Sequence, residues 1–513
     1  MSRASFSSLS LRFGRTADVR LSRLTVAMTC CALLAACAVG PDYQRPEIDV
    51  GEGYRQAQGQ ASVPSSSGMQ GDGAQAQSPN GAVQTDGWTP AKPRDTVERG
   101  AWWQIYGDTT LNGLMDQLNA SNQTIVQAEA NYRQAQALVR GARASFFPTV
   151  GTSAGATRSG SGSGSTSSTG NDYDLSASVS WEVDIWGRVR RQVEASRAEA
   201  QASFADLANT RLSTQSSLAQ NYFQLRVLDE QKRLLESTVA AYERSLKLTQ
   251  NLYDAGVVGK SDVTVALAQL EGTRAQLVDL EWQRGQYEHA IAVLIGLAPS
   301  RFTLPEQPFA QVIPQIPVGL PSQLLERRPD VASAERLTAA ANAQIGVAQS
   351  AWFPDLTLSA NGGFRSGEFA QWLTAPARFW SLGPALALTL FDGGARQAQL
   401  EQARAAYDAQ AAAYRQTVLS ALQEVEDYLI QLRVMGQEQV VQHRALEAAR
   451  ESLRLARNQY RAGTIDYLDV ATLETGALNS ERTALTLMAN RLTASVQLIA
   501  ALGGGWEGGV AEE

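Results

Sequence analysis

Cysteine and histidine are nearly absent from this sequence. Its 513 residues hold three cysteines and two histidines. Cys30 and Cys31 lie in the N-terminal leader and Cys37 at its end, so the chain beyond has no thiol. That removes disulfides, cysteine metal sites and thiol nucleophiles. His289 and His443 lie on helical patterns with no second ligand at metal spacing, and read as surface or packed side chains. No Ser-His-Asp set or pair of carboxylates stands out, so neither an enzyme nor a metal or other cofactor is expected. Positive charge is not in excess either: the formal net charge is −7. A general nucleic-acid binder wants a basic face, and that class is set aside. Gly259-Lys260-Ser261 looks like the end of a phosphate-binding loop, but Asp254 stands where its first glycine belongs and no strand precedes it. Past the leader there is no run of eighteen apolar residues, which excludes a spanning helix and leaves spanning strands open.

What is present begins with an address. Arg3, Arg12, Arg15, Arg20 and Arg23 precede a short apolar stretch from Leu24 to Ala36. This is a secretory signal over residues 1–36. Leu34-Ala35-Ala36-Cys37 resembles the lipobox of bacterial lipoproteins. The resemblance implies that Cys37 carries a covalent lipid as the new first residue, and Ala38 after it implies sorting to the outer membrane. Residues 37–100 read as a lipidated, flexible extension, rich in Gly, Ser, Gln, Ala and Pro between Glu47 and Lys92.

The rest is a tandem duplication, 101–297 and 335–503, with a linker over 298–334 and a tail over 504–513. Phe147-Pro148 and Phe353-Pro354 lie 206 residues apart, as do Asp184-Ile185-Trp186-Gly187 and Leu390-Phe391-Asp392-Gly393. Tyr253-Asp254-Ala255-Gly256 and Tyr460-Arg461-Ala462-Gly463 lie 207 apart, as do Asp262 and Asp469. One single-residue shift over so long a stretch is the mark of a repeat.

Each unit reads as helix, two strands, a very long helix, a tight tip and a shorter helix. Strands are expected at about 147–158, 173–184, 353–364 and 379–390. Leu175, Ala177, Val179, Trp181 and Val183 share one face against Asp174, Ser176, Ser178, Ser180 and Glu182. Leu382, Leu386, Leu388 and Leu390 stand against Gly383, Ala385, Ala387 and Thr389. Ten-residue alternating strands suit a membrane-spanning barrel, apolar face to lipid. The long helices are expected over 188–252 and 395–459, the tips over 253–262 and 460–469, and the return helices over 263–296 and 470–502. Apolar steps of four and three, as in Leu235, Val239, Tyr242 and Leu246, are coiled-coil spacing. The expected fold class is therefore mainly α with a transmembrane β-barrel part. Four strands cannot close a barrel, so further copies must pair the edges. Two copies give eight strands and three give twelve; the residues leave that choice open.

At this point the chain resembles the TolC family of outer-membrane factors, and more closely its lipoprotein, NodT-type efflux branch. The carriers are Cys37-Ala38-Val39-Gly40-Pro41-Asp42-Tyr43, Trp102-Trp103 with Asp108 and Leu111, Asp184-Ile185-Trp186-Gly187-Arg188, Leu324-Leu325-Glu326-Arg327-Arg328-Pro329-Asp330-Val331 and Tyr460-Arg461-Ala462-Gly463. The resemblance implies a homotrimer, with a twelve-stranded barrel continuing into a helical periplasmic tunnel. Its implied partners are outer-membrane lipid, a periplasmic adaptor and an inner-membrane transporter of the RND, ABC or MFS type. The channel would be a passive exit duct for small molecules. An exit channel for type I polypeptide secretion stays open as an alternative, and a trimeric coiled-coil surface protein as one of a different class.

The resemblance places the periplasmic aperture at the two tips. Asp262 and Asp469 match between the repeats, and in three copies would form carboxylate rings that favour cations. Tyr460 matches the family tyrosine that holds the mouth closed, here towards Asp262; Asp254 and Asp466 are further acids nearby. Ile465 stands where the family often has a basic residue, and Thr472 where it has a second aspartate. A plainer reading makes Asp262 and Asp469 helix N-caps. Gly256, Gly259 and Gly463 permit the reverse turns. With Val257, Val258, Arg461, Thr464 and Ile465 they form the expected adaptor-docking surface.

Overall fold

The computed structural model describes residues 38–48, 50, 54–55, 100–162, 168–309, 313–314, 316 and 327–504. Cys37, and most of the extension after residue 48, lie outside them. Among the described residues no helix is long and apolar enough to cross a membrane. The elements run α1 (Thr109–Ser121), α2 (Gln123–Ala144), β1 (Thr149–Ser161), β2 (Ser168–Val183), α3 (Arg188–Asp254), α4 (Lys260–Leu294), α5 (Pro329–Ser350), β3 (Asp355–Ser366), β4 (Arg378–Ala387), α6 (Ala395–Arg461) and α7 (Tyr467–Ala501). They form two compact units. One holds the sheet, the ends of α2, α3, α5 and α6 that adjoin it, and the segment up to Arg45; the other holds the remaining helices and both tips.

In the sheet unit the strands run in the order β1-β2-β3-β4, all antiparallel, so the two hairpins join through β2 and β3. The register fixes the faces. Leu175 lies opposite Ala154 and Phe364, Phe364 opposite Arg378, and Val179 opposite Val150 and Ala360, which in turn faces Leu382. This face exposes Val150, Trp380, Leu382 and Leu386. The other carries Ser153, Ser176, Ser178, Asn361, Ser381 and Ser359. Alternation of period two thus separates an apolar face from a small, polar one. β1 and β4 are edges with no strand partner among the described residues.

Element ends differ from the expected ones. β1 and β2 run further into their connecting loop, to Ser161 and from Ser168. β4 stops at Ala387, short of the expected 390, because its partner β3 begins only at Asp355, after Pro354. Leu388 and Leu390 therefore have no strand to pair with among the described residues. The inner end of the sheet is buttressed by Trp186, which stacks on Phe353 at 4.7 Å and whose indole N–H donates to the Pro354 carbonyl at 2.8 Å. The segment after residue 37 also docks there. Val39 N–H donates to the Trp186 carbonyl at 3.0 Å, and the buried Arg191 donates to Val39 and Gly40 carbonyls and to Asp42.

In the helical unit a core of Trp102, Trp103, Leu111, Met115 and Leu118 packs against Leu218, Tyr222, Ile291, Leu492 and Val496. Asp108 caps α1, accepting from the backbone N–H of Thr110 and Leu111 at 2.8 and 3.0 Å. Where described, the linker expected over 298–334 is pinned to α3 and α4. Buried Arg226 donates to the Pro305 carbonyl at 2.8 Å, and Arg284 reaches the Leu304 carbonyl and Asp229. Arg328, at the start of α5, pairs with Asp330 and Glu424, both at 2.7 Å. The buried members of this set, Arg226, Asp229 and Arg328, are all partnered, as burial requires.

Candidate aperture and docking tips

Two hairpins, α3–α4 and α6–α7, carry the expected aperture. The tips are shorter than the sequence suggested, residues 255–259 and 462–466, because each long helix runs two residues further and each return helix starts three earlier. Both end in the same cap. Gly256 N–H donates to the Tyr253 carbonyl and Val257 N–H to Leu252; Gly463 N–H donates to Tyr460 and Thr464 N–H to Gln459. This pattern needs a residue in the left-handed region, and Gly256 and Gly463 hold it at φ 75° and 72°. The residues that then enter the return helices, Gly259 and Asp466, share φ/ψ of −79°/160° and −80°/160°.

Those two, and not Asp262 and Asp469, are the N-caps, and neither position makes a side-chain capping bond. Asp262 and Asp469 sit in the first turn, Asp262 half-buried and Asp469 exposed. There each carboxylate opposes the positive end of its helix dipole. Asp254 closes α3 as an exposed residue, accepting from Gln250 at 3.1 Å. Of the expected docking residues, Val257, Thr464 and Arg461 are exposed, and Val258 is half-buried. Ile465 is half-buried too, packed against the core of the second tip, so it supports that tip more than it presents a surface.

Tyr460 does not bond Asp262. It is buried, and its hydroxyl shares a hydrogen bond with Thr249 on α3 at 3.3 Å. Burial, with the nearby negative charge of Asp262, holds its phenol above the ordinary tyrosine value. Asp262 is thus felt across the tip without being its partner.

Of the side chains that organise the second tip, the sequence marks Tyr242 only as a coiled-coil position and leaves Tyr467 and Glu474 unmarked. Tyr467 is fully buried and meets Tyr460 edge-on at 5.4 Å; burial pushes its hydroxyl up to about 12. Tyr242 on α3 is likewise buried and pushed up to about 12. One turn beyond Val470 and Ala471 comes Glu474, its side chain 1% exposed, paired with Arg457 at 2.8 Å. Burial raises its carboxyl despite the guanidinium, and its second oxygen has no hydrogen-bond partner among the described residues. A readable signal existed: Tyr467, Val470, Ala471, Glu474, Ala477 and Leu478 keep heptad spacing, and Glu474 is the charged residue in an otherwise packed row. Cys37 lies outside the described residues, and no group of side chains fit to hold a metal occurs among them.

The family described as outer membrane efflux protein matches residues 114–297 and 320–504, one segment for each repeat. The probable efflux pump outer membrane protein TtgC of Pseudomonas putida is 29% identical over 493 residues, covering 94% of this chain and 96% of that one. The pyoverdine export outer membrane protein OpmQ of Pseudomonas aeruginosa is 32% identical over 423 residues, covering 80% and 89%. The solved structure of the outer-membrane channel OprN superimposes with a TM-score of 0.77 at 31% identity, covering 92% of this chain and all of that one. A mainly helical chain that carries a four-stranded, barrel-forming sheet is the fold these channels share.

Proposed function

The chain belongs to the outer membrane efflux protein family and is an outer-membrane channel of an efflux system, and on that ground we propose how it conducts and with what it assembles. Three copies close the sheet into a twelve-stranded barrel, each β4 edge pairing with the β1 edge of the next copy. The observation that carries this is the sheet itself: one apolar face, one small polar face and two unpaired edges. Such a sheet is satisfied only by lipid outside, water inside and a neighbour on each side.

The tips form the periplasmic mouth. Threefold rings of Asp262 and Asp469 give it a cation preference, and the Tyr460–Thr249 and Tyr460–Tyr467 contacts hold the second hairpin in its resting place. Exposed Val257, Arg461 and Thr464 meet a periplasmic adaptor, which couples the duct to an inner-membrane transporter of the RND, ABC or MFS type. Cys37 carries the lipid anchor; the docked segment from Ala38 onwards supports this by bringing the chain to the inner end of the sheet. The duct is passive, holds no cofactor and catalyses nothing, and small molecules are its cargo.

Single-channel conductance in planar bilayers tests this, with Asp262→Ala plus Asp469→Ala beside wild type. A small, cation-preferring conductance that grows or loses its preference in the variant is expected. Properly assembled protein that shows no discrete channels would overturn the duct. An unchanged variant would leave the duct and remove the two aspartates from its gate.

A further inference from the structure

The two ends of the sheet treat arginine differently. At the inner end, where α3 and α6 leave, Arg188 pairs with Glu182, Arg190 with Asp184 at 3.1 Å, Arg191 with Asp42 at 3.0 Å and Arg396 with Asp392 at 2.6 Å. At the loop end there are three arginines. Arg365 lies on the polar face, opposite Asp174; it pairs with Asp172 at 3.8 Å and sits over the Phe379 ring at 5.4 Å. Arg158 and Arg378 lie on the apolar face instead. Arg378 stands opposite Phe364, which faces Leu175, and Arg158 stands opposite Asn171, two residues from Tyr173 on the same side. Both are exposed, and neither has a carboxylate partner among the described residues.

An unpaired guanidinium on a lipid-facing surface is unfavourable at depth and tolerated only near the headgroups. The surroundings fit that depth. Tyr173 lies along the strands between the rows of the two arginines, and the β3–β4 loop folds onto it through Phe369 at 5.5 Å and Trp372 at 6.3 Å. Phe369, Leu373 and Trp380 remain 68%, 60% and 82% exposed. These are rings and chains for the acyl boundary beside charges for phosphate. The helices leave from the other end, so in an outer-membrane protein this end lies in the outer leaflet.

We propose that Arg158 and Arg378 bind the phosphorylated headgroup of the outer-leaflet glycolipid at the seam between neighbouring protomers. The seam rests on the closure proposed above. β1 and β4 are the open edges, so closure sets Arg378 of one protomer on the strand next to that bearing Arg158 of its neighbour. Adjacent strands lie about 4.8 Å apart. The lone chain holds half a site. Arginine forks match phosphate oxygens in pairs, and a glycolipid with two phosphates offers one to each.

The test is native mass spectrometry of the full-length assembly offered bisphosphorylated lipid A, monophosphoryl lipid A or phosphatidylglycerol. Wild type should retain the bisphosphorylated form preferentially. Arg158→Gln plus Arg378→Gln should lower that retention by at least about tenfold, while Arg365→Gln on the opposite face retains it as wild type does. Equal retention of phosphatidylglycerol, an unaffected double variant, or an equal loss in Arg365→Gln would each overturn the site. Should the glutamine pair fail to assemble, Arg158→Lys plus Arg378→Lys decides. Loss of the preference for two phosphates over one supports the fork, and an unchanged preference overturns it. Protein that conducts yet retains no lipid A loses this inference alone, whereas protein that forms no closed assembly loses the seam and the duct together.

Discussion

The two hairpin tips share one backbone and almost nothing else. Their caps, glycine conformations and helix entries coincide to within a few degrees. Their side chains do not: Tyr460 is buried where its counterpart Tyr253 is exposed, and Tyr467 is buried where its counterpart Lys260 is exposed. α4 buries six residues and α7 sixteen, so the second return helix is packed inside its own chain while the first lies mostly on the surface. Duplication kept what the turn physically requires and released what it does not. The left-handed glycine admits few substitutes, whereas a side chain past the turn follows whatever packs against it.

The largest expected effect is at Tyr467. Tyr467→Ala removes a fully buried ring and should lower the local opening free energy of the second tip by about 3–5 kcal/mol. Lys260→Ala at the matching place should stay within about 0.5 kcal/mol. Hydrogen exchange on tip peptides reads both, and equal protection losses would end the contrast. Next come the glycines. Gly256→Ala and Gly463→Ala should each cost about 1–2 kcal/mol for the left-handed backbone, and by similar amounts; a clear inequality would mean that the turns are less alike than their angles.

Glu474 is a smaller matter of direction. Its carboxyl is held above the ordinary 4.5 by burial. The folded tip therefore keeps a proton that the opened tip gives up, and between those two values stability falls as pH rises. Glu474→Gln should flatten that slope in pH-dependent exchange; Leu267 occupies the matching place in the first repeat, which should show no such slope. The smallest effect belongs to Asp466, an N-cap with no capping bond. Asp466→Ala should change thermal stability by less than about 0.5 kcal/mol, whereas Asp108→Ala, which loses two capping bonds, should cost about 1 kcal/mol.

Much of the fold is legible in the sequence. Alternation in β2 marked its faces correctly because a strand's period is set by its own backbone. The glycines at the tips marked the turns for the same local reason. Strand ends were less legible, since β4 stops where β3 offers no partner, a fact that lies in another segment. The partner of Tyr460 was missed on the same ground: Thr249 reaches it only through the register of α3 against α6, which no local pattern encodes. Glu474 was the readable omission, a carboxylate in a heptad row of apolar and small residues.

The unpaired edges β1 and β4 also govern how fast the protein must find its own kind. Before closure each chain offers two hydrogen-bonding templates and an apolar sheet face, and any strand-forming neighbour serves them as well as the correct one. Correct closure depends steeply on local concentration, while misassembly needs only a single encounter. Confinement to a surface by an N-terminal anchor would shift that race by replacing a search in volume with a search in a plane. Yield, on this view, is a question of kinetic competition, and dilute or unanchored protein should lose it first.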